Sequence, residues 1–199
     1  MPDYGRHFSR HYRDALIEEG YIMRNMDNCL FYKITEEEIT FIVLFVDDTL
    51  IFSSKRQLDI DQFVVCMNRH YELTLDTKTD SFLGINIIGH NEDGTVTLTQ
   101  PKLLQKLFKE HPEPPSKRKA RTPTHPYGPV PLHNKEKEQS PPILVTTYLR
   151  LLGPLMYLTK SRPDIMMAAV SFGATKSTNP TEEDYQQLYY IVDYLRVTI

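Results

Sequence analysis

Two adjacent carboxylates, Asp47 and Asp48, interrupt an apolar run that extends from Phe41 to Phe52. Both flanks are rich in β-branched and aromatic residues and are too short for helices, so they predict two buried strands that meet at an acidic turn. Neighbouring aspartates at a hairpin tip can direct carboxylate oxygens into a cleft, and oxygen atoms are the ligands that Mg²⁺ prefers. Asp-Asp pairs are also common in ordinary turns. The local pattern therefore leaves a metal site and a plain turn equally open.

The elements around the aspartates predict how they are positioned. Three strands are expected to form an antiparallel meander with the aspartates at its second turn: residues 29–34, 39–46 and 49–52. Residues 5–19 predict an amphipathic helix before the meander, and Gly20 is placed to end it. After the meander, Ser54 and Gln57 fit a capping box for a second helix, whose apolar face contains Ile60, Phe63, Val64, Met67 and Tyr71. This helix is expected to cover the sheet from behind, which leaves the carboxylates on the other side.

The next stretch predicts a hairpin followed by a helix. Strands at residues 82–87 and 95–100 flank the turn signal Asn91-Glu-Asp-Gly94, and Gly84 would allow another backbone to approach closely. Pro101 opens a helix with one apolar face and three exposed lysines. The apolar face consists of Leu103, Leu104, Leu107 and Phe108, and the exposed lysines are Lys102, Lys106 and Lys109.

The last part of the chain predicts a linker and then helices. Nine of the 14 prolines fall within residues 111–142, whose composition predicts an extended or disordered linker. Residues 144–159 are apolar nearly all round, which predicts a buried helix that Pro154 bends or restarts. Pro163 starts another helical stretch in which residues 166–172 lie inside and Gly173 weakens the end. A further helix begins near Thr181 and has an apolar face of Leu188, Ile191, Val192 and Leu195.

Composition limits the class of protein. With 199 residues, 40% hydrophobic and 25% charged, the chain suits one globular domain or two small ones. It contains no apolar run long enough to span a membrane and no signal peptide, so we expect an intracellular protein, cytoplasmic or nuclear. Cys29 and Cys66 lack metal-ligand spacing, and we expect buried free thiols in a reducing compartment.

The charge distribution is compatible with a phosphate track without requiring one. The net charge of −3 is not typical of a free-standing nucleic-acid binder. Basic residues nevertheless cluster at three places: Arg6, His7, Arg10, His11 and Arg13; Lys102, Lys106 and Lys109; and Lys117, Arg118, Lys119 and Arg121. Such clusters can follow a nucleic-acid backbone, and solvated helix faces give the same counts.

Several motifs in order carry a family resemblance. The sequence Phe45-Val46-Asp47-Asp48 resembles the Tyr-Val-Asp-Asp box of reverse transcriptases, with Phe in place of Tyr. Further matches follow in the order expected of copia-type LTR retrotransposon polymerases: Phe82-Leu83-Gly84-Ile85, the segment from Tyr148 to Thr159, Ser161-Arg162-Pro163-Asp164-Ile165 and Tyr194-Leu195-Arg196. The set spans nearly the whole chain, which is identified on these motifs as a member of that family.

The resemblance implies an α+β fold with a reverse transcriptase palm, in which helices back an antiparallel sheet, followed by a thumb hairpin and helix and a C-terminal helical connection segment. Residues 1–81 would be a partial palm with the Asp-Asp hairpin, and residues 82–110 the primer-grip hairpin and the start of the thumb. Residues 111–142 would be the flexible linker, and residues 143–199 the helical thumb and connection segment before an absent ribonuclease H domain.

The resemblance also implies the chemistry. In the complete enzyme, RNA-directed DNA synthesis uses two Mg²⁺ ions about 3.5–4 Å apart, and Mn²⁺ is a possible substitute. Asp47 and Asp48 would be catalytic metal ligands, with Asp47 the more direct one. The other contacts to nucleotide, primer and template are expected from Phe45, Val46, Phe82, Leu83, Gly84 and Arg6, and those to the nucleic-acid backbone from Lys102, Lys106 and Lys109. Phe45 lacks the phenol oxygen through which Tyr could form a hydrogen bond.

The implied partners are an RNA template and a DNA primer, with the remainder of the polyprotein as a further candidate and no membrane. The family's third aspartate and its fingers are expected before the first residue of this chain, and Asp59, Asp61, Asp76 and Asp80 are not convincing substitutes. We therefore expect a reverse transcriptase fragment, truncated at both ends, with little or no activity alone. Two alternatives stay open: a decayed or repurposed fragment that binds nucleic acid or a partner without catalysis, and a reading frame without a selected function.

Overall fold

The computed structural model describes residues 4–54, 58–76, 80–89, 94–112, 120–124 and 141–198, without the side chains of residues 4–6, 58 and 59. The fold combines α-helices with antiparallel β-sheets, so the α+β class is confirmed at this level. The chain divides into two compact units, Met1–Thr79 and Asp80–Ile199. The boundary lies two residues before the predicted one, because Ser81 pairs within the second unit.

The first unit is built on a four-stranded antiparallel sheet. Its elements are α1 (Tyr4–Glu18), β1 (Ile22–Arg24), β2 (Asp27–Ile34), β3 (Ile39–Phe45), β4 (Asp48–Ser53) and α2 (Leu58–Met67), and the strand order is β1-β2-β3-β4. The predicted meander is therefore confirmed, and β1 is an additional strand. Gly20 has φ +86° after α1, as a left-handed helix end requires. Of the capping box predicted before α2, Gln57 lies outside the described residues.

Both helices of the first unit pack on one face of this sheet. Cross-strand pairing places Phe31, Ile42 and Ile51 in one row, and the side chains of Phe31 and Ile42 have no exposed surface. The remaining buried apolar residues of this core are Tyr12, Ala15, Leu16, Tyr21, Leu44, Phe63 and Met67. The prediction that α2 covers the sheet is thus confirmed, and α1 covers the same face.

The second unit combines a small sheet with a helical core. Its elements are β5 (Ser81–Phe82), β6 (Ile85–Ile88), β7 (Thr97–Thr99), α3 (Pro101–Glu110), α4 (Val145–Leu158) and α5 (Glu182–Val197). Between α4 and α5 the chain forms a 3-10 turn (Pro163–Ile165), a π-helical segment (Met167–Gly173) and a second 3-10 turn (Ala174–Lys176). The core contains Leu107, Tyr148, Leu151, Leu152, Leu155, Leu158, Ile165, Leu188, Ile191, Val192 and Leu195. The apolar faces predicted for α3 and α5 are confirmed, and Thr181 forms a capping box with Asp184 at the start of α5.

Two predictions about this helical region are wrong. The helix α4 is not buried all round, because Leu149 is 45% and Tyr157 41% exposed, and it does not restart at Pro154 but continues to Leu158. Residues 166–172 do not all lie inside, because Met166 is 54% and Met167 62% exposed. The wider π-helical turn changes which side chains face the core, and a 3.6-residue period does not anticipate that change.

The segment predicted as an extended or disordered linker, residues 111–142, is attached to the second unit at several described positions. Ala120 is only 1% exposed. Pro142 forms a β-bridge with Thr181, and the carbonyl of Pro141 accepts a hydrogen bond from the Glu182 amide at 2.9 Å. Residues 113–119 and 125–140 lie outside the described residues.

The two cysteines are free, as predicted, but neither is fully buried. Burial, followed by a hydrogen bond with Glu19, raises the pKa of the Cys66 thiol. The thiolate is therefore disfavoured, which does not suit a reactive or metal-binding cysteine.

Candidate metal and nucleic-acid site

The turn between β3 and β4 consists of only two residues, Val46 and Asp47, since Phe45 pairs directly with Asp48. Val46 has φ +57°. Two-residue hairpin turns need a positive φ to match the twist of the strands, but a β-branched side chain is rarely tolerated there. The tip that carries the carboxylates is therefore locally strained.

Relieving this strain gives a testable result. We expect Val46→Gly to stabilise the first unit by about 1 kcal/mol, because glycine adopts a positive φ without the penalty of a β-branched side chain. Urea denaturation followed by circular dichroism measures the change. Val65→Gly is the matched control, because Val65 is 62% exposed within α2 and its replacement should destabilise the unit by about 1 kcal/mol. A Val46→Gly protein no more stable than the parent would contradict the strain at the tip.

The two carboxylates of the tip are exposed. Because Asp48 pairs with Phe45, its side chain lies on the sheet face opposite Ile42 and Leu44, away from α1 and α2. Among the described residues, neither the Asp47 carboxylate nor the Asp48 carboxylate has a hydrogen-bond or ion-pair partner. With respect to this part of the chain, both carboxylates are available to bind a cation or another external group.

The base of the hairpin is attached to α1. The hydroxyl groups of Tyr12 and Thr49 form a hydrogen bond of 2.9 Å one residue after Asp48. Burial raises the pKa of Tyr12, so its phenol stays neutral at neutral pH. This contact fixes the start of β4 on the helical layer and orients the turn.

The donor set fits Mg²⁺ in part. Within the described residues, no group of three or more His, Cys, Asp or Glu side chains is arranged to hold a metal ion. Mg²⁺ commonly keeps several waters and binds one or two protein carboxylates together with substrate phosphates. Asp47 and Asp48 match that protein contribution, and a fuller site needs ligands from elsewhere.

The sheet face that carries Asp48 is unusually apolar. Cross-strand pairing aligns Ile22, Tyr32, Phe41 and Phe52 in one row across all four strands. Leu30, Val43 and Leu50 form the next row, and Phe45 with Asp48 the last. Phe41 is 42%, Phe45 51% and Phe52 49% exposed. We call this surface the open face.

The segment predicted as the first grip strand is interrupted by a turn. Phe82 pairs with Ile85, so Leu83 and Gly84 form a two-residue turn with φ +51° and +73°. The continuous strand predicted for residues 82–87 is therefore wrong. Among the described residues of the chain itself, no backbone approaches Gly84 closely: the atom nearest to an added Cβ is the Tyr157 hydroxyl oxygen at 4.0 Å. Gly84 is instead needed for the turn itself.

The rest of this hairpin agrees with the prediction, with shorter strands. The strands β6 and β7 are antiparallel, with Asn86 opposite Thr99 and Ile88 opposite Thr97. Residues 91–93 of the predicted turn lie outside the described residues, and Gly94 has φ +77°. The Tyr157 hydroxyl donates a hydrogen bond to the carbonyl of Leu83, which anchors the β5–β6 turn to α4.

The basic residues predicted to contact phosphates are placed as follows. Lys102, Lys106 and Lys109 are exposed on one stripe of α3, opposite the side that buries Leu107. Lys106 lies 3.8 Å from Glu110, a pair that solvent weakens. Arg6 belongs to α1, and its side chain lies outside what the structure describes. The lysine stripe can therefore meet an anionic surface.

The predicted site residues belong to two units. Phe45, Val46, Asp47 and Asp48 come together at one hairpin tip in the first unit. The second unit contains the turn Phe82-Leu83-Gly84 and the three lysines of α3. The tip residues lie at the predicted turn and the lysines on the predicted helix, whereas Leu83 and Gly84 form a turn in place of the predicted strand.

Comparison of the chain with known proteins identifies no family. No protein-family model matches the chain, and no solved structure matches it. Among the described helices, none combines the length and apolar character needed to cross a membrane. The functional interpretation therefore depends on the motif residues and their placement.

Two of the motif stretches contact each other, which sequence reasoning did not anticipate. The Arg162 guanidinium donates two hydrogen bonds to Asp164, of 3.0 and 2.8 Å, and a third of 2.7 Å to the Thr198 hydroxyl. The Tyr194 hydroxyl donates to the same carboxylate at 2.8 Å. This network joins the start of the 3-10 turn to the end of α5, so these motif residues have a structural role.

The network predicts a pH-dependent loss of stability. Hydrogen bonds from Arg162 lower the pKa of Asp164 below its usual 3.8. The ionised Asp164 carboxylate therefore contributes fully to stability above pH 3.8. This contribution is lost as the pH falls through the lower pKa that Asp164 has in the folded state. We expect Asp164→Asn to cost about 1 kcal/mol at pH 7, since solvent screens the exposed pair, and nothing in strong acid. Urea titrations at both pH values measure this difference.

A milder variant serves as the comparison. Tyr194→Phe keeps the ion pair between Arg162 and Asp164 and removes one hydrogen bond, so its cost at pH 7 should be smaller than that of Asp164→Asn. Equal costs of Asp164→Asn at neutral and acid pH would contradict an ionic contribution.

Proposed function

We propose that this chain is part of an RNA-directed DNA polymerase of the copia type, and that the β3–β4 tip supplies two of its metal-binding carboxylates. The main support is the position of Asp47 and Asp48: both are exposed at a two-residue turn, and Asp48 lies on the face away from the covering helices. The ordered motifs and the backing of one sheet face by two helices agree with a palm. The resemblance suggests the reaction, and the exposed tip is where we place the metal site.

The residues of the tip would act by binding and orienting. Bound Mg²⁺ would stabilise the charge that develops on the attacking and leaving oxygens of nucleotidyl transfer. Asp47 would be the main protein ligand and Asp48 the weaker one. Phe45, 51% exposed on the same face as Asp48, would pack against the primer end through its ring. The tight turn would hold both carboxylates in a fixed relation to that ring.

The sheet topology suggests where the remaining carboxylate would enter. In the order β1-β2-β3-β4, β4 is an edge strand that begins at Asp48. An edge strand offers backbone N–H and C=O groups to an additional strand. A strand paired along β4 would bring its side chains beside Asp48, and a carboxylate on it would complete the metal site.

A complementation assay tests the proposal. We expect the purified chain to extend a primed RNA template poorly with Mg²⁺, because no group of three or more His, Cys, Asp or Glu side chains is arranged to hold a metal ion among the described residues. Supplying the upstream palm and fingers of a copia-type polymerase, fused before Met1, should restore extension. Strong extension by the chain alone would show that the site is complete without that segment, and no extension by the fusion would contradict the polymerase assignment.

The open face favours a second candidate, a non-catalytic fragment that binds a partner. Its exposed side chains include Ile22, Ile34, Ile39, Phe41, Phe45 and Phe52, a larger apolar surface than isolated hydrophobic residues provide. Arg24 lies 5.6 Å from the centre of the Tyr32 ring at one border, so the same face could also stack nucleic-acid bases.

Binding experiments separate this candidate from the polymerase. Salt-dependent binding of an RNA–DNA hybrid that survives Asp47→Ala and is lost in the Phe41→Ser, Phe52→Ser double variant would favour the non-catalytic function. Val65→Ser is the matched control, because Val65 is an exposed apolar residue on α2, away from the open face. Absence of binding even at low salt would remove the nucleic-acid version.

A further inference from the structure

The second unit contains a cavity that the polymerase proposal does not use. Its volume is about 380 Å³, within the range of small-molecule sites. The walls come from α4, the π-helical segment, the second 3-10 turn and α5, and Pro123 and Thr124 line one side. All of the residues that line the cavity therefore belong to a single unit.

The inner wall is apolar and well fixed. It includes Tyr148, Phe172, Leu188 and Ile191. Tyr148 is fully buried and donates a hydrogen bond of 2.9 Å to the carbonyl of Gly173. Burial raises the pKa of Tyr148 to about 12, so this side chain contributes no charge near neutral pH. An apolar ligand body would find preformed contacts here.

The irregular backbone gives the cavity its shape. Residues Met167–Gly173 form a π-helical turn, a feature that is frequent at functional sites. Gly173 is in close contact with the core, because an added Cβ would lie 2.7 Å from Leu152 and 3.0 Å from Leu188. The π-helical turn therefore packs tightly on one side and borders the cavity on the other.

One cation lies at the rim. Among the described residues that line the cavity, Lys176 is the only basic one and Asp184 the only acidic one. The Lys176 ammonium lies 3.7 Å from one oxygen of Asp184, too far for a strong hydrogen bond. The other oxygen of Asp184 accepts hydrogen bonds from the amide and hydroxyl of Thr181, at 2.9 and 2.7 Å. Asp184 is thus engaged at the start of α5, and Lys176 keeps donors for an external anion.

We propose that this cavity binds a small apolar molecule with one negative charge, such as an aromatic or aliphatic carboxylate or sulfonate. The apolar body lies between the π-helical segment and α5. The anionic group is bound by Lys176, with the Gln187 amide as a second donor within the same lining. This binding is independent of the carboxylates at the β3–β4 tip.

Two dyes with the same rings test the proposal on the full chain. Anilinonaphthalene sulfonate carries one negative charge, and N-phenylnaphthylamine carries none. Lys176→Met should weaken binding of the sulfonate roughly tenfold, as expected for one lost charge-assisted contact, and leave the neutral dye within about twofold. Ser171→Phe, which places a ring in the cavity, should weaken both dyes at least roughly tenfold.

Matched controls distinguish the cavity from other apolar surfaces. Met167→Phe adds a ring at an exposed position of the same π-helical segment that does not line the cavity, and it should change neither affinity. On the unmutated chain, decanoate should displace the neutral dye, whereas decylammonium, with the same chain and the opposite charge, should not. Unchanged dye binding in Ser171→Phe overturns the site, and equal displacement by the two aliphatic ions overturns its preference for anions.

Discussion

Replacing Asp47 with Asn in the complemented polymerase should lower the rate of primer extension roughly 10²- to 10³-fold, the usual cost of removing one group that stabilises charge in a transition state. Asn keeps the size of the side chain and one oxygen but removes the negative charge. Because Asp47 is exposed at the turn, the substitution should leave the unfolding midpoint of the chain nearly unchanged. Single-turnover extension with saturating nucleotide measures the effect.

Two further variants, one at Asp48 and one at the distant Glu36, complete the comparison. Asp48→Asn should also reduce extension, by less than Asp47→Asn, since Asp48 is the weaker proposed ligand. Glu36→Gln is the matched control, because Glu36 is exposed in the turn between β2 and β3, at the end of β3 opposite the β3–β4 tip. A polymerase that tolerates Asp47→Asn within about threefold would contradict the proposed metal site.

The largest effect on stability is expected in the helical core of the second unit. Leu155 is fully buried in α4, and Leu155→Ala should destabilise the unit by about 2–5 kcal/mol, the range for deleting a buried leucine side chain. Gly153 and Pro154, directly before it, already weaken α4, so the helix depends strongly on this packing. Hydrogen exchange at the amides of α5, which share the core with Leu155, measures the change.

Met156 provides the matched control for the core variant. It is the next residue of α4 and is 37% exposed, so Met156→Ala should cost less than about 1 kcal/mol. Similar loss of amide protection in the two variants would indicate that the core does not lie where the structure places it.

Much of the fold could be predicted because its signals are local. The meander follows from β-branched runs separated by polar turns, and the apolar faces of α3 and α5 follow from the 3.6-residue period. The start of α5 was predictable from Thr181 and the residues around it, because a capping box is a short-range arrangement. These elements have their main determinants within a few residues of one another.

The remaining features depend on backbone conformations that the sequence signals poorly. The strand β1 has three residues, too few to show alternation. Leu83 adopts a positive φ that is unusual for leucine, so the turn within Phe82–Ile85 could not be read from residue preferences. The π-helical turn and the passage of α4 through Pro154 are set by packing in the core, which outweighs intrinsic preference.

Of the candidate site, only the hairpin tip was predictable from the sequence. The adjacent aspartates and their apolar flanks indicated the hairpin tip. The open face became visible only with strand register, because it is formed by residues from four strands, such as Tyr32, Phe41 and Phe52. The contact of Asp164 with Tyr194 spans 30 residues and needs the packing of α5.

The most direct test of the central claim is where a paramagnetic divalent ion binds on the chain. Mn²⁺ can replace Mg²⁺ at oxygen ligands and broadens the NMR signals of nearby amides. We predict that Mn²⁺ titrated into the labelled chain broadens the amides of residues 45–49 first, and that the Asp47→Asn, Asp48→Asn double variant loses this effect. Broadening centred elsewhere, or unchanged in the double variant, would contradict a metal site at the β3–β4 tip.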